Sequence, residues 1–217
     1  MLIVFDLDDT LIDTSGSVTP FKMGECLKRL IEKGMEVKNF EETYHELLTF
    51  NCDSPSSKEA LARLIWKVGF PPEKAHLAFT ELTAPLPAHF SIPTTPNAFD
   101  VLKHFHSRYP LALVTGGNLS FQSDKMEKAG LDRSLFSKIA IPEDSVKKVV
   151  YETLSKEFSV PAHDIWVCGD RIEMDLKPAK ELGFHTIHMQ WGRGKMQSAD
   201  WVEFRISELN QLLGIIS

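Results

Sequence analysis

The apolar and polar positions of this chain follow two rhythms, and the change from one to the other divides it. Leu2, Ile3, Val4 and Phe5 form an uninterrupted apolar run, the composition of a strand buried on both faces rather than one half exposed to water. From Phe21 to about Ala84 the period is helical throughout. It predicts helices over 21–33, 40–50, 57–68 and 72–83, with breaks at Gly34, at Asn51 to Pro55 and at Gly69 to Pro71. Pro72 suits a first helical turn. Pro85, Pro87, Pro93 and Pro96 then fall within twelve residues and read as a return linker.

From Asn97 the rhythm alternates. Helices are predicted over 97–107, up to about 129, over 144–157 and over 173–182, and strands over 111–114, 138–141, 165–168 and 184–189. Trp201 to Phe204 reads as a short edge strand, with a closing helix over 206–213. Alternation of this kind implies a parallel sheet with helices on both faces. The expected fold class is therefore α/β, a doubly wound, Rossmann-like parallel sheet built from residues 1–12 and 95–217, with an all-helical insert at 13–94.

Composition narrows the setting. The chain has 217 residues, and 43% of them are hydrophobic, ample for a core. With 24 basic against 30 acidic residues, a net charge of −6 and no dense basic block, nucleic acid is not expected as a partner. An anionic substrate would need a local positive site. Strand-like sequence begins at residue 2, leaving no room for a signal peptide, and no run approaches the roughly 18 apolar residues of a membrane span. The expectation is a cytoplasmic protein with no membrane partner. Cys26, Cys52 and Cys168 are an odd number without paired metal spacing and read as buried free thiols. His104 and His106, two apart on one helix, cannot share a face, and most of the eight histidines are expected at the surface. Phe50, Trp66 and Phe70 read as core of the helical insert.

Candidate chemistry begins where the first strand ends. In extended backbone, residues two apart point the same way, so Asp6 and Asp8 project side by side. Like charges that close are stable only with a cation, a proton or a phosphoryl group between them. A doubly wound sheet binds ligands beyond the carboxyl ends of its strands, at the switch point of strand order. Three apolar strands here end in suitable residues: Asp6 and Asp8, then Thr115, then Asp170. The Thr115 hydroxyl and the amides of Gly116 and Gly117 can face an anion at a helix N-terminus; the same pattern also suits a plain helix cap. His188 and the loop Trp191-Gly192-Arg193-Gly194 follow the last core strand and open on the same side, where Arg193 can meet substrate.

Four motifs, in order, resemble the signatures of the haloacid dehalogenase-like hydrolases. They are Asp6-Leu7-Asp8-Asp9-Thr10-Leu11 after the first strand, Thr115 at the end of another, a lysine at 147 or 148, and Gly169-Asp170 with Asp175 five positions on. The Lys-Pro-Asp-Pro form of the lysine motif is absent. Lys147, 23 residues before Asp170 and with Tyr151 four residues later to pack beneath it, is preferred over Lys148. Thr115-Gly116-Gly117-Asn118 with Gln122 and Lys125 further resembles the small-molecule phosphatase branch that carries a helical cap, although Gly117 departs from the commoner Thr-Asn-Gly order.

The resemblance implies magnesium-dependent hydrolysis of a small phosphorylated metabolite, a sugar phosphate or nucleoside monophosphate, through an aspartyl phosphate. Asp6 would be the nucleophile and Asp8 first acid, then base. Mg2+ would be held by the Asp6 carboxylate, the Asp8 main-chain carbonyl and Asp170. Thr115, Gly116, Gly117 and Lys147 would bind the phosphoryl oxygens. Asp175 would orient the lysine or a metal-bound water, and the family pattern requires no acid at Glu173. Residues 13–94 would form a mobile cap that decides which ester is used. A phosphomutase shares every motif and stays open, as does the choice between monomer and homodimer. Dehalogenation needs neither an acid at Asp8 nor magnesium, and a catalytically silent binding module would be expected to have lost an acid or the lysine.

Overall fold

The first apolar run becomes strand β1 (Leu2–Phe5), each side chain at most 1% exposed, in a computed structural model that describes residues 1–143 and 146–216. Four helices follow, α1 (Thr19–Glu32), α2 (Phe40–Asp53), α3 (Ser57–Lys67) and α4 (His76–Glu81). The chain then runs α5 (Ala98–His106), β2 (Leu111–Val114), α6 (Leu119–Lys128), β3 (Lys138–Ala140) and α7 (Lys147–Glu157). It finishes with β4 (Ile165–Gly169), α8 (Lys177–Glu181), β5 (His185–Met189) and β6 (Phe204–Ile206). The expected start of the seventh helix at Asp144 lies outside the described residues.

The six strands form one parallel sheet in the order β3-β2-β1-β4-β5-β6. Succession reverses at β1: β2 and β3 lie to one side, β4 to β6 to the other. The crevice of such a sheet opens beyond the carboxyl ends of the strands at that reversal. Phe5 is in register with Leu113 and with Cys168. Asp6, Thr115 and Asp170 therefore leave three adjacent strands within one residue of the same level.

Alternation along the strands sends Leu2 and Val4, Ala112 and Val114, and Ile165 and Val167 into a cluster with Tyr151 and Leu154 of α7 and Leu176 and Ala179 at α8. The chain separates into two compact units, Met1–Ser15 with Leu86–Ser217, and Gly16–Pro85. Within the sheet unit, near where the chain leaves it and returns, Asp13 N–H donates to the Pro93 carbonyl, and Leu86 N–H to Asp124. The helical unit has its own core. Met23, Cys26, Leu27 and Leu30 form a helical stripe on α1, and they pack with Leu47, Leu61 and Leu64. Asn39 and Ser56 cap α2 and α3 through Glu42 N–H and Glu59 N–H.

Several expectations shift. The edge strand is Phe204–Ile206 rather than 201–204: Val202 N–H closes a turn on Ala199, and Trp201 and Val202 pack on the core from that turn. Residues 72–83 split at Ala75 into a 3-10 turn and α4, and the closing segment Leu209–Gly214 is wound as 3-10 around Gln211, which accepts from Ser207 and Glu208 N–H. Ile172–Leu176 is a π-helical turn leading into α8. Cys52 is exposed, whereas Cys26 and Cys168 are buried. Trp66 is 84% exposed, since the stripe of α3 that faces the core is Ala60, Leu61, Leu64 and Ile65. Among the described residues no helix is long and apolar enough to cross a membrane.

If the helical unit is held by this core, Leu61→Ala costs about 2–5 kcal/mol and Ser56→Ala about 1 kcal/mol. Urea denaturation followed by circular dichroism should rank them in that order; equal, small losses would show that the cluster does not hold the unit.

Candidate active site

Asp6 follows β1, its N–H donating to the Cys168 carbonyl of the neighbouring strand at 3.0 Å. Lys147, the first residue of α7, places Nζ 2.6 Å from Asp6 Oδ1 and 2.5 Å from Asp175 Oδ1. All three side chains are buried. Asp175 Oδ2 accepts the Arg171 N–H at 2.9 Å, so both oxygens of this carboxylate have donors. Gly169 is required by close approach: a Cβ there would lie 2.6 Å from Asp175 Oδ2. Lys148, one residue on, is exposed and pairs with Glu181. Glu173 is exposed too and pairs with Lys177. The structure thus brings Asp6, Lys147, Asp170 and Asp175 together and leaves Lys148 and Glu173 outside.

One ammonium is shared by two buried carboxylates, Asp6 and Asp175, with a third, Asp170, beside them. Burial pushes the Asp6 carboxyl up to about 7 against the pull of Lys147, with Asp175 and Asp8 adding repulsion. Asp170 is driven well above the ordinary aspartate value by burial and by Asp175, Asp6 and Asp9. Burial would lower Lys147, but Asp175 and Asp6 outweigh it and hold its ammonium well above the usual lysine value. Asp6, Asp170 and Asp175 each offer an oxygen within 4.8 Å of the others. Asp175 is already committed to Lys147 and Arg171. Among the described residues the Asp170 carboxylate, 3% exposed, accepts no hydrogen bond. A hard divalent cation with oxygen ligands fits that pair of underused carboxylates, Asp6 and Asp170.

Asp8 is treated differently. Lys125 Nζ lies 2.5 and 2.6 Å from its two oxygens, Thr14 Oγ1 donates to Oδ1, and Gln122 Nε2 donates to Oδ2 at 3.1 Å. Burial alone would raise this carboxyl, yet the Lys125 charge with the Lys125, Thr14 and Gln122 hydrogen bonds brings it below the ordinary value. Gln122 and Lys125 stand three apart on one face of α6. Gln122 Nε2 also lies 2.7 Å from Thr115 Oγ1 and 2.7 Å from the Gly116 carbonyl, linking Asp8 to the buried Thr115. Asn118 caps α6 by accepting from Phe121 N–H, so Thr115 is not the cap. Gly117 N–H donates to the Pro142 carbonyl at 3.0 Å. That removes Gly117 from the amides expected to face an anion and leaves Gly116, which makes no backbone hydrogen bond as donor among the described residues. Sequence reasoning missed that Lys125 pairs with Asp8. The signal was the Gln122/Lys125 spacing on a helix after Thr115, but it names no partner across 117 residues.

The sequence model of a family described as haloacid dehalogenase-like hydrolase matches residues 1–183. Among curated proteins, the glyceraldehyde 3-phosphate phosphatase of Pyrococcus furiosus is 26% identical over 234 residues, covering 99% of this chain and 92% of that protein. The HAD-hydrolase YfnB of Bacillus subtilis, solved bound to magnesium, superposes with a TM-score of 0.73 at 18% identity, over all of this chain and 98% of its own. A 2-haloacid dehalogenase from Pseudomonas syringae pv. Tomato DC3000 superposes with a TM-score of 0.60 at 20% identity, over 99% of this chain and 96% of its own. The fold is therefore shared by proteins named for different chemistries, and the site residues must decide between them.

The raised carboxyls carry a pH signature. A carboxyl whose proton is held more tightly folded than unfolded costs the metal-free protein stability as pH climbs past the ordinary aspartate value of about 4, the penalty from Asp6 being complete above about 7. A divalent cation relieves that penalty and competes with protons for the same oxygens. Magnesium added to chelator-treated protein should raise the Tm more at about pH 8 than at about pH 5. A gain independent of pH would place the cation elsewhere.

Proposed function

The chain belongs to the haloacid dehalogenase-like hydrolases, and from that membership we propose that it is a magnesium-dependent phosphatase of small phosphate monoesters. The observation that carries the reading is the Lys147 ammonium 2.6 Å from Asp6, a carboxylate whose remaining close neighbours are also acids. This is a nucleophile with a cation already in place to offset the charge of an arriving phosphoryl group.

Asp6 would attack phosphorus, forming the Asp6–phosphorus bond as the bond to the ester oxygen breaks, and Asp8 would supply the proton that the departing alkoxide needs. Water would then attack the aspartyl phosphate, with Asp8 accepting its proton, to give inorganic phosphate and free Asp6. The pairing with Lys125 keeps Asp8 ionised, the form required for the second step. The proton it accepts from water in the second step is the one it would give to the alkoxide in the next turnover, held on Asp8 while Lys125 turns toward the arriving phosphoryl oxygens. Thr115 Oγ1, the Gly116 amide and Lys147 would bind those oxygens.

Magnesium would be held by the Asp6 and Asp170 carboxylates and the Asp8 main-chain carbonyl, with Asp175 holding Lys147 in place. When bound it supplies charge neutralisation between substrate and carboxylates. An acid at Asp8 has no part in dehalogenation, which is why the phosphatase reading is preferred. The helical unit, Gly16–Pro85, with a core complete in itself, is assigned the part of a cap in this proposal. A small metabolite, such as a sugar phosphate or nucleoside monophosphate, is the substrate class that suits it.

Asp6→Asn should lower turnover of a generic aryl phosphate by several orders of magnitude with an unchanged circular dichroism spectrum; near-normal activity would end the mechanism. Lys147→Ala should be severe and Lys148→Ala close to silent, measured as kcat/KM, and the reverse order would move the motif to Lys148. Full activity in excess chelator would exclude the metal requirement.

A further inference from the structure

The loop after β5 holds a guanidinium beside the site that the proposed chemistry does not use. Arg193 sits in the tight turn Gly192–Gly194. Two close approaches require glycine in that turn: a Cβ at Gly192 would lie 2.1 Å from Asp9 Oδ2, and one at Gly194 would lie 1.9 Å from the Asp170 carbonyl oxygen. His188, fully buried, sets Nε2 3.0 Å from the Asp170 carbonyl and 3.1 Å from the Gly194 carbonyl. Both are acceptors, so Nε2 carries the proton. Trp191 Nε1 donates to Asp13 Oδ1 at 3.0 Å. Arg193 is thus flanked by Trp191, held through its indole by Asp13, and by Gly194, held through its carbonyl by His188, while Gly192 and Gly194 pack closely against Asp9 and Asp170.

The side chain has carboxylates near it but none against it. Asp170, Asp9 and Asp8 act on the guanidinium through space, yet it forms no ion pair with any described residue, and Nη1 is buried with no hydrogen-bond partner. An arginine serving only to brace the loop would close its planar fork on one of these carboxylates. Holding it short of them leaves a buried donor unsatisfied, which is costly until an acceptor arrives.

We propose that Arg193 is a specificity-determining residue that donates from Nη1 to a carbonyl-type oxygen, of an aldehyde, ketone or carboxylate, on the alcohol portion of the phosphate ester. The inference rests on the phosphatase reading, in which the transferred phosphoryl group already has donors in Thr115, Gly116 and Lys147. The remaining donor is left for the organic part. A guanidinium has no acceptor, so it favours an oxygen that only accepts. A carboxylate gains most, because the bond is then charge-assisted. The sheet unit itself thereby takes part in choosing the ester.

Three esters that differ at one carbon test this: glycerol 3-phosphate, glyceraldehyde 3-phosphate and 3-phosphoglycerate, with p-nitrophenyl phosphate as a generic substrate. The full chain with magnesium should favour the carboxylate and the aldehyde over the alcohol by about tenfold or more in kcat/KM. Arg193→Met should bring the three within about threefold of one another, mostly through KM, and Arg193→Lys should keep part of the carboxylate preference. No discrimination by the wild-type protein overturns the inference. So does an equal loss on all three esters in Arg193→Met, the pattern of a purely structural role. If Arg193→Met fails to fold by circular dichroism, the wild-type ratio and Arg193→Lys decide, and a lysine variant with the full wild-type preference for both carbonyl esters overturns it. Release of phosphate without discrimination overturns this inference alone, whereas no release from any ester, p-nitrophenyl phosphate included, overturns the phosphatase reading and this inference with it.

Discussion

The Lys147 ammonium, buried between Asp6 and Asp175, is the contact on which the rest of the site depends. Burying an ion pair costs desolvation that mutual attraction repays only with good geometry. Here the geometry draws on separate parts of the sheet unit: β1 delivers Asp6, the first turn of α7 delivers Lys147, and the turn after β4 delivers Asp175 past a glycine that leaves it room. The parallel order that reverses at β1 makes those deliveries meet. The triad is still short of positive charge, because among the described residues the Asp170 carboxylate beside it has no hydrogen-bond donor. That deficit, rather than any single residue type, is what makes a divalent cation fit.

Two carboxylates only two residues apart are given opposite characters by their surroundings. Asp6, sharing one lysine with other acids, is pushed up; Asp8, with both oxygens on Lys125 and further donors from Thr14 and Gln122, is pulled down. Environments that drive neighbouring acids apart are how one site assigns them separate roles. The fold alone does not make that assignment, since proteins named as a 2-haloacid dehalogenase and as a magnesium-bound hydrolase both superpose on this chain.

What could be read from the sequence was what local pattern controls. Continuous apolar runs marked β1, β2 and β4, because a strand buried on both faces needs apolar side chains at every position, and the polar residues just after them marked the crevice. What could not be read depends on distant partners. Trp201 and Val202 look like strand residues and serve as core from a turn. Trp66 and Cys52 look like core and face solvent, because burial in the helical unit is set by which face of each helix meets the others. The Gly117 amide is turned away by the Pro142 carbonyl, and Lys125 finds Asp8 only once the fold brings α6 to the segment that follows β1. Gly192 and Gly194 gave no sign in sequence of how closely they approach Asp9 and Asp170.

The proposed mechanism requires Asp6 to become covalently phosphorylated, and trapping that species tests it most directly. Protein mixed with a slow phosphate ester and magnesium, quenched in acid within one turnover and analysed by mass spectrometry after proteolysis, should carry one phosphoryl group. That group should map to Asp6 and be lost on treatment with hydroxylamine, as an acyl phosphate is. A phosphoryl group on any other residue, or rapid phosphate release with no adduct at Asp6 at any quench time, would contradict the account.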